Sequence, residues 1–296
     1  MIAIVASNDN MKCEPAFKAI KSAVEALRRP VKVYIPAEYP SFTEKPEAVF
    51  VWNGCKGKRG EIVQEMRDDG IPVFVLERGF FDRQNYVQID RKGFNHTASW
   101  AGFGGISSFL PTCDGLDRLI KILGREPKKV KARKNGYILV LYQVDGDEQL
   151  AQSEVHHADT LVDSVLNASQ NQEVVVRPHP LGRRYLKKHT GFSTGTLEDD
   201  VAGARFCVTI NSNAGNDAIS YGCPVLCFGP ALYELAAVAK KARIYSLAKD
   251  IRAMLDGWEP DGGDSRRYLG YLANRQWNTE ELRDGDIVKN LLEGIL

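Results

Sequence analysis

The chain is organised around the stretch Phe206-Cys-Val-Thr-Ile-Asn-Ser-Asn-Ala-Gly-Asn-Asp-Ala-Ile-Ser-Tyr-Gly-Cys-Pro-Val-Leu-Cys-Phe-Gly229. Its first five residues predict a buried strand, and a turn of small and helix-capping residues follows at 211–215. A helix over 216–221 is then predicted to end at Gly222 and Pro224, before a second strand at 225–228. In a strand–turn–helix–strand unit of this kind, the N–H groups at the helix start are a predicted phosphate site.

A second stretch, Val174-Val-Val-Arg-Pro-His-Pro180, lies about thirty residues earlier. It predicts a buried strand that ends at Arg177 and His179. Ligands of open α/β sheets bind at the carboxyl ends of the strands, so both stretches direct polar groups to the same edge. An arginine, a histidine and a helix start at one edge suit a diphosphate or a phosphate diester. The alternative is an ordinary α/β turn with two solvated side chains.

These two motifs resemble the donor-binding half of GT-B glycosyltransferases, and within that group the capsule-polysaccharide type that includes the β-Kdo transferases. The resemblance is carried by the Arg177-Pro-His-Pro180 strand end and by the helix start that begins at Ser212. The family has a glutamate where this chain has Asp217. A strand at 136–142 followed by Gln143 and Asp147 resembles the family's Gln-x3-Asp signature. The resemblance covers about the second half of the chain.

A weaker similarity, to phage-encoded proteins of the same transferase group, lies in the first half. It is carried by Trp52-Asn-Gly54, by Glu77-Arg-Gly79 and by the region around Asn95 and Trp100.

Length and composition limit the kind of protein. A chain of 296 residues exceeds the size of a single core, so we expect two domains. The content of 44% hydrophobic and 26% charged residues is typical of a soluble globular protein. No apolar run is long enough to span a membrane, and the first residues predict a strand rather than a signal peptide. The net charge of +1 gives no overall argument for nucleic acid.

The six cysteines occur singly and without metal-binding spacing, which favours reduced thiols and a cytoplasmic location. That cytoplasm would be the host's if the protein is phage-encoded. The sequence does not predict the oligomeric state.

Strand–helix alternation occurs over residues 1–79 and again from residue 136. This predicts an α/β protein of GT-B-like architecture, with two Rossmann-like parallel-sheet domains facing a cleft. The basic segment 125–135 contains Pro127 and is predicted to be the linker. The expected domains are therefore an acceptor-side domain over 1–130 and a nucleotide-sugar-binding domain over 131–296. The resemblance implies that the last helix crosses back to the first domain.

The resemblance implies a donor site in which Arg177 and His179 neutralise the phosphate of the leaving nucleotide. The turn would add backbone donors, and Asp217 would hold the ribose. The predicted donor-binding residues are Gln143, Asp147, Arg177, His179, Ser212, Asn213, Ala214, Gly215 and Asp217. Such electrostatic stabilisation replaces a metal ion, so we expect no cofactor and no metal, with a nucleotide-sugar as co-substrate. Asp145-Gly-Asp147 also matches the short metal motif of GT-A enzymes, which keeps a metal open as the alternative.

An inverting sugar transfer requires a base near the acceptor hydroxyl. Glu77, predicted at a strand end, is the first candidate, Asp9 is the second, and His179 completes the predicted catalytic set. The alternative for Glu77 is a salt bridge to a neighbouring basic residue.

The preferred acceptor is a 5-hydroxymethylpyrimidine in duplex phage DNA, because basic clusters bind phosphates and aromatic rings stack on an extruded base. The acceptor-binding set is Asn53, Arg78, Trp100, Lys128, Lys129, Arg183 and Arg184. The basic clusters could equally be solvated faces. Three other functions stay open: a capsule-type, Kdo-like glycan transferase, a nucleotide-sugar epimerase, and a non-catalytic nucleotide-binding protein.

Overall fold

The computed structural model describes residues 1–8, 14–39, 41–42, 44–54, 56–101, 115–180, 191–260 and 264–294. The chain divides into two compact units. The first unit comprises Met1–Gly102 and Asn274–Leu296, and the second comprises Phe103–Ala273. The predicted site residues Asp9, Arg183 and Arg184 lie outside the described residues.

The strands, in chain order, are β1 (Ile2–Val5), β2 (Val31–Tyr34), β3 (Ala48–Trp52), β4 (Val73–Arg78), β5 (Tyr86–Asp90), β6 (Tyr137–Leu141), β7 (Val174–Arg177), β8 (Ala204–Thr209), β9 (Val225–Cys227), β10 (Lys240–Lys241) and β11 (Trp277–Asn278). The α-helices are α1 (Pro15–Ala26), α2 (Gly57–Asp68), α3 (Leu116–Leu123), α4 (Ala158–Ala168), α5 (Leu197–Gly203), α6 (Ala214–Ser220), α7 (Leu232–Leu235), α8 (Leu247–Leu255), α9 (Ser265–Ala273), α10 (Thr279–Asp284) and α11 (Asp286–Glu293).

The first unit is built on a six-stranded sheet in the order β11-β5-β4-β3-β1-β2. Strands β1 to β4 pair in parallel, whereas β5 is antiparallel to β4 and β11 is antiparallel to β5. The parallel strands are almost wholly apolar because both faces of the sheet are covered. One face packs in a core with residues of α1 and α11, and the other packs with residues of α2.

The second unit is built on a five-stranded, all-parallel sheet in the order β10-β9-β8-β6-β7. Its apolar strands pack with residues of α4 and α8 in one core. From β6 the chain first crosses to β7 on one side and then returns to β8 on the other side. The topological switch point of this sheet therefore lies between β6 and β8, and their carboxyl ends are where this class of sheet binds ligands. The prediction of an α/β fold with two parallel-strand sheets is confirmed.

The division into units differs from the boundary predicted at residue 130. Segment 125–135 is bonded into the second unit rather than exposed as a linker. The Lys128 N–H donates to the Ser220 carbonyl at 2.9 Å, Val130 is buried, and the Arg133 guanidinium donates to the Ala204 and Tyr221 carbonyls at 2.8 and 3.1 Å.

The last residues also differ in detail from the prediction. The sequence predicts one last helix over 281–292, and the structure has two, α10 and α11, because Gly285 adopts φ 96° between them. Residues 274–296 belong to the first unit, where β11 extends the sheet and α10 and α11 pack against α1. Among the described residues, no helix has the length and apolar character needed to cross a membrane.

Candidate functional site

A buried pair of amide side chains lies at the switch point of the second sheet. Gln143 follows β6 and is 4% exposed, and Asn211 follows β8 and is 5% exposed. Gln143 Oε1 accepts the backbone N–H of Asn211 at 2.9 Å and the Thr209 hydroxyl at 3.2 Å. Gln143 Nε2 donates to Asn211 Oδ1 at 3.0 Å. The pair therefore fastens the end of β6 to the end of β8.

The same pair reaches two further loops. Asn211 Nδ2 donates to the Gln149 carbonyl at 2.6 Å and to the Pro230 carbonyl at 3.3 Å. Gln149 lies in the short 3-10 turn at 148–152, and Pro230 follows β9. Gly229 lies so close that a β-carbon there would be 3.0 Å from Asn211 Nδ2. Three connecting segments, those that follow β6, β8 and β9, thus meet at one buried asparagine.

The turn at 211–215 uses most of its own backbone donors. The Ser212 N–H donates to the Thr209 hydroxyl at 3.2 Å, the Ala214 N–H to Ser212 Oγ at 3.3 Å, and the Gly215 N–H to the Ser212 carbonyl at 2.9 Å. Helix α6 begins two residues earlier than predicted. Phosphate binding by these N–H groups, as the sequence predicts, would require these internal bonds to be exchanged.

Two buried tyrosines support this turn from below. The Tyr233 hydroxyl donates to the Ser212 carbonyl at 3.1 Å, and its ring lies where a side chain on Gly215 would be. The Tyr268 hydroxyl donates to Asn216 Oδ1 at 2.6 Å. Burial raises the pKa of both phenols well above the usual value, so both remain neutral donors.

The Arg177 side chain is held by a buried carboxylate. At the end of β7, its guanidinium donates to the Gly195 carbonyl at 2.8 Å and forms an ion pair with Asp200. The Ser193 hydroxyl bonds to the same carboxylate, which is 6% exposed. The positive charge of Arg177 is therefore balanced inside the protein. His179 lies two residues farther along and is partly exposed.

The two acids of the Asp-x-Asp motif both cap backbone N–H groups. Asp145 Oδ1 accepts from the N–H of Ala158 at 3.0 Å, at the start of α4. Asp147 Oδ1 accepts from the N–H of Gln149 at 3.0 Å. Among the described residues there is no group of three or more His, Cys, Asp or Glu side chains that could hold a metal ion. The expectation of a metal-free reaction stays a prediction.

Within the first unit, three of the predicted residues come together at the carboxyl ends of β3 and β4. Asn53 adopts φ 66° just after β3, and its Nδ2 donates to Glu77 Oε2 at 3.2 Å. Glu77 Oε1 accepts the backbone N–H of Arg78 at 2.7 Å and lies 3.9 Å from the Arg83 guanidinium. The Arg78 side chain is paired with Glu14 at 3.0 Å. Asn53 and the Arg78 backbone therefore fix the orientation of the Glu77 carboxylate.

The other acceptor-side predictions fall elsewhere. Trp100 lies in the short turn at 99–101 and packs edge-to-face on Phe80, with ring centroids 6.1 Å apart. The Arg275 guanidinium lies 5.7 Å from its ring centre. Lys128 and Lys129 are exposed on the second unit. Their roles in binding an acceptor stay predictions.

The sequence reading missed Asn211, Asp200 and the two tyrosines. Asn211 was the easiest of these to predict from the sequence, since it is the first polar residue after the predicted strand 206–210. The tyrosines come from distant helices, α7 and α9, and no local pattern connects them to the turn.

Comparisons with known proteins give a family match in the second unit. The family model "Capsule polysaccharide biosynthesis protein" matches residues 121–254, which lie within the second unit and include the switch point. In structure, the chain is similar to the β-Kdo 2,7 transferase of Thermosulfurimonas dismutans KpsC, with a TM-score of 0.60, 16% identity and 99% of both chains covered. The fold is that of GT-B glycosyltransferases.

Two more relatives support the similarity. The β-Kdo 2,4 transferase of the same KpsC gives a TM-score of 0.59 at 17% identity, covering 99% of this chain and 98% of the other. Protein FixF of Sinorhizobium fredii (strain NBRC 101917 / NGR234) is 30% identical over 251 residues. That alignment takes in 76% of this chain but only 59% of FixF, so the chain spans little more than half of its curated relative.

Proposed function

We propose that this protein is a capsule-type glycosyltransferase that moves a sugar from a nucleotide-sugar to a hydroxyl group of a glycan. The observation that supports this most strongly is the family match over 121–254, because it falls on the unit whose switch point carries the Gln143–Asn211 pair and the two motifs. The KpsC relatives, named as β-Kdo transferases, support a Kdo-like sugar as the group transferred.

The donor's phosphate is proposed to bind beside the carboxyl end of β7. His179 is the group we assign to it, since the charge of Arg177 is already balanced by Asp200. Arg177 would then act mainly by fixing the strand end that presents His179. A positively charged or hydrogen-bonding imidazole at the leaving phosphate stabilises charge that develops as the sugar departs.

Glu77 is the proposed base. Its carboxylate is 9% exposed and accepts hydrogen bonds from Asn53 and from the backbone of Arg78. These bonds fix the orientation of the carboxylate, which suits a group that takes a proton from an acceptor hydroxyl.

The experiment is a thermal-shift screen of the whole protein against mono- and diphosphates of uridine, cytidine, guanosine and thymidine, and against their sugar conjugates. A nucleotide present at a hundred times its Kd stabilises the folded state by about 2.7 kcal/mol. For a domain of this size that corresponds to a rise in Tm of roughly 5 to 10 °C. The His179→Ala variant is expected to lose most of the rise. No shift with any compound would refute a nucleotide-sugar donor.

The acceptor is tested separately. The relatives named above support a glycan rather than the DNA acceptor that the sequence analysis preferred. Once a donor is known, release of free nucleotide is measured with a capsule oligosaccharide and with hydroxymethylpyrimidine duplex DNA. Turnover on the DNA would instead support a DNA acceptor. The affinity for the DNA should then fall steeply with salt and depend on Lys128 and Lys129.

A further inference from the structure

The geometry points to Gln143 and Asn211 as a positioning pair that sets the loops of the donor site without contacting the donor. The inference rests on the proposed function, since it assigns a role within that site. It differs from the role that the sequence motif suggests for Gln143, which is direct donor binding.

The first argument is that only one orientation of the two amide groups satisfies their hydrogen bonds. The backbone N–H of Asn211 points at Gln143 and fixes that oxygen as Oε1, so Nε2 must face Asn211 Oδ1. This in turn places Asn211 Nδ2 against the carbonyls of Gln149 and Pro230. Turning either amide over would oppose oxygen to oxygen or leave a buried N–H unpaired, which is costly.

The second argument is that both side chains are used inside the protein. Gln143 accepts two hydrogen bonds and donates one, and Asn211 donates through Nδ2 to two loops. At 4% and 5% exposure, neither presents appreciable surface to a ligand. A donor contact by Gln143 would therefore break a bond that the fold needs.

The third argument is location. The pair lies between β6 and β8, where the chain reverses direction across the sheet, and touches the turns at 148–152, 211–215 and 229–230. Those turns form the rim of the switch point. Fixing them in advance lowers the entropy lost when a ligand is bound there.

The test uses Gln143→Met, which keeps the side-chain length and removes its hydrogen bonds. Gln276→Met is the matched control, because Gln276 lies in the first unit, is 0% exposed and is bonded in a similar way. Its Oε1 accepts the backbone N–H groups of Phe80 and Phe81, and its Nε2 donates to the Phe81 carbonyl. Binding of UDP and CMP is measured by calorimetry. Hydrogen exchange of the ligand-free proteins is measured by mass spectrometry. Thr209→Val serves if Gln143→Met does not fold. It removes one bond to the pair but also the acceptor of the Ser212 N–H, so exchange is then compared only in the turns at 148–152 and 229–230.

We expect Gln143→Met to weaken nucleotide binding about tenfold or more relative to Gln276→Met, and to speed amide exchange in the three turns before any ligand is added. Equal affinity in the two variants would overturn the inference. So would weaker binding with unchanged exchange in the turns, which would indicate direct contact with the donor. If the wild type binds neither nucleotide, the proposed function is wrong. The positioning role is then tested by exchange alone, and unchanged exchange of the three turns in Gln143→Met would refute it.

Discussion

Replacing Gly215 with alanine would put a methyl group into space that the ring of Tyr233 occupies. A β-carbon at this position would lie 2.7 Å from Cε1 and 2.8 Å from Cζ of the tyrosine. Carbon atoms pack at about 3.5–4.0 Å, so the ring would have to move by roughly 1 Å. The ring is 2% exposed and its hydroxyl is bonded to the Ser212 carbonyl, so the movement would also strain that bond.

The expected loss of stability follows from these contacts. Overpacking of this kind costs about 1–3 kcal/mol. The higher helix propensity of alanine relative to glycine stabilises a helix interior by up to about 1 kcal/mol, and this gain is smaller at the second residue of α6. We therefore expect a net loss of about 0.5–2.5 kcal/mol, or a fall in Tm of roughly 1 to 10 °C.

Thermal denaturation followed by circular dichroism measures the effect. Tyr233→Phe is the control, since it keeps the ring and removes only the hydroxyl. In the double variant Gly215→Ala/Tyr233→Leu, the smaller side chain makes room, so the combined loss should be less than the sum of the single losses. A Gly215→Ala variant as stable as the wild type would show that the Tyr233 ring does not exclude a side chain at this position.

Three further predictions follow from the second unit. His179→Ala should reduce sugar transfer about 100-fold while leaving Tm nearly unchanged; a folded variant with wild-type turnover would remove His179 from the site. Arg133→Met should lower stability by about 2 kcal/mol in denaturant titrations, because backbone carbonyls lose a charged donor, and an unchanged midpoint would contradict this. Burial raises the folded-state pKa of Tyr268, whereas the unfolded phenol ionises near pH 10. The contribution of Tyr268 to the free energy of unfolding is therefore complete below about pH 10 and is lost as the pH rises above it. Tyr268→Phe should therefore show a shallower loss of stability between about pH 10 and 12 than the wild type, and equal slopes would argue against this role.

The sequence predicted the parallel-strand elements well because their signals are local. The sequence predicts a strand over 48–52 and a helix over 158–168, and β3 and α4 have these bounds. Each is a run of apolar or periodic residues between residues that end such elements. Strand β5 was missed because Gln88 and Asp90 interrupt its apolar pattern. Both side chains are buried in the structure and bond to Asn95 and Ser99 in the segment after β5, which the sequence alone does not show.

The candidate site was predicted in position but not in its internal bonding. The strand ends at Arg177 and Gln143 lie at the carboxyl edge of one sheet, as the alternation of strands and helices indicated. Which of these polar groups are already bonded within the protein depends on partners far along the chain. Asp200, Gln149 and Pro230 are such partners, and no spacing rule connects them to the motifs.

The domain boundary could not be found from composition. A basic, proline-containing segment usually indicates a linker, but here Val130 is buried and the backbone around it bonds to the segment after α6. The true division depends on long-range pairing of β11 with β5, which only the folded chain contains.

That pairing has a consequence for how the protein forms in the cell. Helices α10 and α11 and strand β11 leave the ribosome after the whole of residues 103–273, which takes roughly 10 to 30 seconds at about 5–20 residues per second. Until then the apolar face of α1 that later packs with Val288 and Leu291 is not covered by these residues. The nascent first unit is therefore expected to be a chaperone client for this interval, while the contiguous second unit completes its sheet ahead of it.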